Sequence, residues 1–66
     1  MIQITVNGRS EEHSEGTNVA DLIAMRKIKQ KTAVRLNGRQ LLLKEYDTQQ
    51  LEDGDVVKIV RLIGGG

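Results

Sequence analysis

Two Asn-Gly dipeptides, Asn7-Gly8 and Asn37-Gly38, each close a short alternation of aliphatic and polar residues. The favoured two-residue hairpin turn needs positive φ at both central positions, and Asn-Gly is the natural pair that adopts it most readily. Before the first dipeptide, Ile2, Ile4 and Val6 alternate with Gln3, Thr5 and Asn7, which puts the aliphatics on one face of a strand. Before the second, Val34 and Leu36 alternate with Ala33 and Arg35. The chain is therefore expected to hold two hairpins. The first returns through a polar edge strand from Arg9 to Ser14, the second through Leu41 to Leu43.

A helix is expected between the hairpins. Glu15-Gly16 is a break, after which Thr17 or Asn18 can accept from the free N–H groups of a helix start, with Asp21 three residues after Asn18. The helix should run to about Met25 or Lys27. Val19, Leu22 and Ile23 then form one apolar stripe that packs on a core, while Ala20, Asp21 and Ala24 face elsewhere. The cationic run Arg26, Lys27, Lys29 and Lys31 follows, where positive charge complements the helix dipole. It reads as a solvated face, with an electrostatic docking patch for an acidic partner as the alternative.

Lys44 to Leu51 reads as an irregular or single-turn connection, and Glu52-Asp53-Gly54-Asp55 as a tight turn whose acids bond local backbone. The final strand is expected from Val56 to Leu62. If Val57 and Ile59 face the core, Val56, Val60 and Leu62 lie on the opposite face, with Lys58 and Arg61 out of simple register. Two readings stay open: another element covers these residues, or they form an exposed apolar patch that aims whatever follows them.

The composition narrows the function classes. Sixty-six residues make one small domain with a thin stability margin, which argues against a large enclosed active site. With no cysteine and His13 as its sole histidine, the chain offers neither a disulfide framework nor a thiolate metal site. Ten Lys and Arg against nine Asp and Glu give a net charge of +1, which disfavours nucleic acid as a partner. The longest apolar run, Leu22 to Met25, is far short of a membrane span, so a soluble cytoplasmic protein without a membrane partner is expected. Tyr46 is the sole aromatic, leaving the core to aliphatic side chains. No catalytic constellation stands out: His13 sits in a polar edge strand and reads as a surface residue. The carboxylates Glu11, Glu12, Glu15, Glu52, Asp53 and Asp55 lack a metal-ligand spacing, and no glycine loop suited to phosphate appears. An enzyme is disfavoured.

The last residues are Ile63-Gly64-Gly65-Gly66. Terminal glycines can be a frayed or appended end. They can also be a reagent: without Cβ atoms the stalk threads a slot too narrow for other residues and presents its carboxylate there.

The order of these elements is that of a β-grasp domain. Ile2 to Gly8, Gly16 to Leu22, Val34 to Gly38, Glu45-Tyr46, Leu51 to Val60 and the closing Gly64-Gly65-Gly66 together resemble the ThiS family of thiamine-pathway sulfur carriers across essentially the whole chain. The resemblance implies an α+β, ubiquitin-like β-grasp: a mixed sheet of four to five strands packed against one main helix over residues 1–63, with a flexible glycine tail at 64–66. It implies that a ThiF-like adenylyltransferase, using ATP and magnesium, converts the Gly66 carboxylate to an acyl-adenylate. A sulfur donor such as a persulfide-carrying protein then leaves a thiocarboxylate, which a ThiG-like thiazole synthase consumes. The resemblance further implies a carrier that binds no cofactor and supplies no catalysis. Gly64, Gly65 and Gly66 would thread into the partner, and Val60, Leu62 and Ile63 occupy positions that resemble the family's partner-facing patch.

The chain departs from the family in one place. Leu42 and Leu43 stand where members often carry a proline and a basic residue, adding apolar surface or core near Tyr46 and leaving partner choice open. Tyr46 is expected to be a packed ring with its hydroxyl at the surface. The competing readings are a carrier for another pathway, such as the small subunit of molybdopterin synthase, and a TGS-like β-grasp binding module without chemistry. The second leaves the glycines unexplained.

Overall fold

The computed structural model describes residues 1–29 and 31–62. In chain order it forms β1 (Ile2–Val6), β2 (Arg9–His13), α1 (Val19–Met25), β3 (Thr32–Leu36), β4 (Arg39–Gln40), a single 3-10 turn (Leu43–Glu45) and β5 (Val56–Arg61). The strands make one sheet in the order β2-β1-β5-β3-β4. β5 runs parallel to β1 and antiparallel to β3, so the last strand lies at the centre of a mixed sheet. This is the expected ubiquitin-like β-grasp, five strands and one helix.

Both Asn-Gly turns adopt the backbone that their sequence predicts, with φ of 50° and 83° at Asn7 and Gly8 and 52° and 85° at Asn37 and Gly38. Of the two candidate helix caps, Asn18 is the one used: its side chain accepts from Asp21 N–H at 2.7 Å, and the Asp21 carboxylate accepts from Asn18 N–H at 3.2 Å. The helix stops after Met25, where Lys27 enters the left-handed region at φ 54° and donates to Ala24 C=O. Val19 and Leu22 are fully buried against Ile4, Val34 and Val57, and the core is aliphatic apart from Tyr46. Ala20, expected to face away from this stripe, is half-buried against the core beside Ile23.

Four further expectations are corrected. β2 ends at His13 and not Ser14, and the second hairpin returns through only Arg39 and Gln40. After β4, Leu41 turns inward and is buried, and Leu42 N–H leaves the sheet to bond the Glu45 carboxylate at 2.8 Å. The chain thereby turns into the 3-10 segment before Leu42 or Leu43 can join a strand. The Tyr46 hydroxyl is not a surface group: it donates to Thr32 C=O at 3.1 Å and pins the 3-10 segment to the start of β3. In the acidic turn, Asp55 bonds Glu52 N–H locally, but Asp53 reaches across to Gln3 N–H at 2.8 Å.

Candidate functional site

β5 carries the chain toward its last residues, and two asparagines hold it in place. Asn37 Oδ1 accepts from Val56 N–H at 2.9 Å at the start of the strand, and Asn7 Oδ1 accepts from Ile59 N–H at 2.8 Å further along. Past the end of β5, Leu62 N–H donates to Lys31 C=O at 2.8 Å, which carries the pairing with β3 to the last described residue. Ile63, Gly64, Gly65 and Gly66 lie outside the described residues.

The burial pattern of β5 decides between the two readings of the strand. Val57 and Ile59 point into the core, and Val56, Lys58 and Val60 point to the other face of the sheet, where no described element covers them. Val60 is 44% and Leu62 50% exposed. Half-exposed on a face that no described element covers, the two side chains are surface and not core. Val60 faces Ala33 across the β3–β5 ladder, and Leu62 borders Ala33 as well, so the two candidates flank one side chain. The structure thus brings Val60 and Leu62 together.

Leu42 and Leu43 resolve as surface. They are 58% and 79% exposed, and with Leu62 and the rim of Tyr46 they line a hollow beside β3. The loop that holds them is fixed by Glu45, whose carboxylate accepts from Leu42 N–H and meets Arg39 Nη1 at 3.4 Å. The backbone bond from Leu42, aided by the Arg39 charge and opposed by partial burial, holds the Glu45 carboxyl below its ordinary value.

Two functional candidates escaped the sequence reading. Arg35 and Lys58 are direct partners across the antiparallel β3–β5 ladder, both on the open face, and neither has an ion-pair partner among the described residues. Each was visible only as a polar member of an alternation. Their juxtaposition depends on a register between strands far apart in sequence, which no local pattern encodes.

Other predicted features fall away from this face. His13 is not a free surface residue: its ring Nε2 lies 2.9 Å from Glu11 Oε1, its side chain is only 11% exposed, and the same carboxylate receives Arg26. Arg26 therefore belongs to an intramolecular cluster, while Lys27, Lys29 and Lys31 of the same run remain exposed. The bond from Arg26, aided by His13 and opposed by partial burial, keeps the Glu11 carboxyl below its usual range. No group of three or more His, Asp or Glu side chains is placed to hold a metal among the described residues, and no described helix is long and apolar enough to cross a membrane.

Comparison with known proteins agrees with this geometry. The family model described as "ThiS family" matches residues 2–66. Among solved structures, the chain is similar to a crystal structure of a thiamine biosynthesis protein (ThiS) from Geobacter metallireducens. The two are 33% identical, the match covers 98% of this chain and 100% of that one, and the TM-score is 0.82. A solution NMR structure of a thiamine biosynthesis protein from the same organism is also 33% identical, over 98% of this chain and 88% of that one, with a TM-score of 0.79. No curated protein sequence matches significantly. A match over the full span of the fold, with the same topology, shows that the chain belongs to the ThiS family.

Proposed function

We propose that this protein is a sulfur carrier of thiamine biosynthesis whose C-terminal glycine is the chemically active group. The observation that carries the reading is the family match through Gly66 combined with the half-exposed Val60 and Leu62 on the strand that leads there. The chain is a substrate of other enzymes. A carboxylate repels nucleophiles and has no good leaving group, so it must first be activated. A ThiF-like adenylyltransferase joins the Gly66 carboxylate to the α-phosphate of ATP, with magnesium and cations of the partner spreading the charge as pyrophosphate leaves. Sulfur from a persulfide-carrying donor displaces AMP from the acyl-adenylate, and a thiol cleaves the remaining S–S bond to leave the thiocarboxylate. A ThiG-like thiazole synthase then takes the sulfur in the cytoplasm.

Within this reading Val60, Leu62 and Ile63 dock on the partner, and Gly64, Gly65 and Gly66 enter its active site because they lack Cβ atoms. The body of the domain is the handle. Intact-mass measurement of the protein isolated from its native host tests the proposal: a fraction should end at Gly66 with one oxygen replaced by sulfur. A mature protein that extends beyond Gly66, or that shows no ATP-dependent pyrophosphate exchange with the host adenylyltransferase, would overturn it.

A further inference from the structure

Resting on that carrier reading, the open face of the sheet carries more than an apolar patch. Arg35 and Lys58 stand opposite each other on neighbouring strands, an arrangement that like-charge repulsion disfavours, and no acid among the described residues relieves it. They line one hollow together with Ala33, Gln40 and Val60. Leu42, Leu43 and Leu62 line a second hollow that shares Ala33 and Gln40 with the first. The two are halves of one continuous surface, cationic on one side and apolar on the other, at the root of the chain's last residues. Lys31 adds a further exposed cation at the apolar rim, and the nearby Glu45 is already engaged by Leu42 N–H and Arg39.

We propose that this surface is a two-part dock for an acidic segment of the activating enzyme: a carboxylate seats between Arg35 and Lys58 while an adjacent apolar side chain seats against Leu42, Leu43 and Leu62. The charges accelerate encounter and fix orientation, and the leucines slow release. Charge complementarity selects this occupant. A symmetric pairing of this face with the same face of a second copy would set these cations against the same cations. A nucleic acid would find no stacking surface, because Tyr46, the sole aromatic, is buried with its hydroxyl bonded to Thr32.

The test is ATP–pyrophosphate exchange by the host adenylyltransferase at varied carrier concentration and ionic strength, using the full chain. Arg35→Glu with Lys58→Glu should raise KM by about tenfold, leave kcat unchanged and flatten the salt dependence of kcat/KM. Arg35→Gln with Lys58→Gln should fall between that variant and the unmodified chain. Leu43→Ser, at a position too exposed to matter for folding, should raise KM severalfold at every salt concentration. Circular dichroism checks that each variant keeps its fold. A KM and salt slope unchanged in folded variants of an activated chain would overturn the dock alone. No exchange with the unmodified chain would remove the carrier reading and the dock together. Salt-dependent dimers, or retention on homopolymeric RNA, abolished by the same substitutions would assign the face to those occupants instead.

Discussion

The side-chain amide of Asn7 holds the backbone of Ile59 with both of its ends, Oδ1 accepting from Ile59 N–H at 2.8 Å and Nδ2 donating to Ile59 C=O at 3.2 Å. The β1–β5 ladder ends at Val6 and Val57, so this side chain continues the pairing one step beyond the strand that carries it. One residue therefore serves the turn, by accepting φ 50°, and the central strand that leads to the candidate site. Asn7→Gly keeps the turn but leaves the Ile59 groups without this partner, and should cost about 1–2 kcal/mol. Asn7→Ala loses the same bonds and adds left-handed strain, for roughly a further 1 kcal/mol. Urea denaturation measures both, and faster exchange of the Ile59 amide should accompany each. Equal, negligible losses would mean that water replaces the amide without cost.

Local signals made most of the fold legible. The alternation of Ile2, Ile4 and Val6, the Asn18–Asp21 pair and the Asn-Gly dipeptides each specify their conformation within a few residues, and each formed as expected. The failures came where a specific side-chain partner, near or far in sequence, overrode the pattern. Leu41 to Leu43 look like strand, but burial of Leu41 and the bond from Leu42 N–H to Glu45 turn the chain away. The Tyr46 hydroxyl found Thr32, and His13 found Glu11. At the candidate site, period two placed Val60 opposite the core but could not say whether that face was covered. Only the position of β5 between β1 and β3, with the helix on the other side, left it open.

Leu62→Glu should separate docking from folding. At 50% exposure Leu62 buries little, so the charge should change stability by no more than about 0.5 kcal/mol while weakening activation by the adenylyltransferase. Leu22→Ala, at a fully buried position in α1, should instead cost about 2–5 kcal/mol and unfold much of the population of so small a domain. Thermal melts and pyrophosphate exchange read the contrast. A large drop in melting temperature for Leu62→Glu would place that side chain in the core.

Acid should weaken the tie between β2 and the end of α1. The Glu11 carboxyl, held below its ordinary value of 4.5 by Arg26 first and His13 second, contributes stability above that value and loses it as pH falls through the lower folded-state value. Both members of the Glu11–Arg26 pair are about a third exposed, which limits the contribution to about 0.5 kcal/mol at neutral pH. Glu11→Gln should therefore melt slightly below the unmodified protein at pH 7, and the gap should narrow as pH falls below 4.5. A difference that persists at low pH would assign the effect to packing rather than charge.

Substitution in the tail tests the premise of the carrier reading most directly. Gly65 and Gly66 lie outside the described residues, and the buried core is built from Ile2 to Ile59, so Gly65→Ala and Gly66→Ala should leave the melting temperature within the equivalent of about 0.5 kcal/mol. An added Cβ would nonetheless displace the carboxylate within a partner's narrow channel, and misplacing a reacting group by an ångström costs on the order of a hundredfold in rate. The expected result is normal folding with adenylation reduced by that order, and with Leu62→Glu adding its own defect through KM. Activation of both alanine variants at the normal rate would show that the partner tolerates side chains at the stalk, and the reason for glycine there would have to be sought elsewhere.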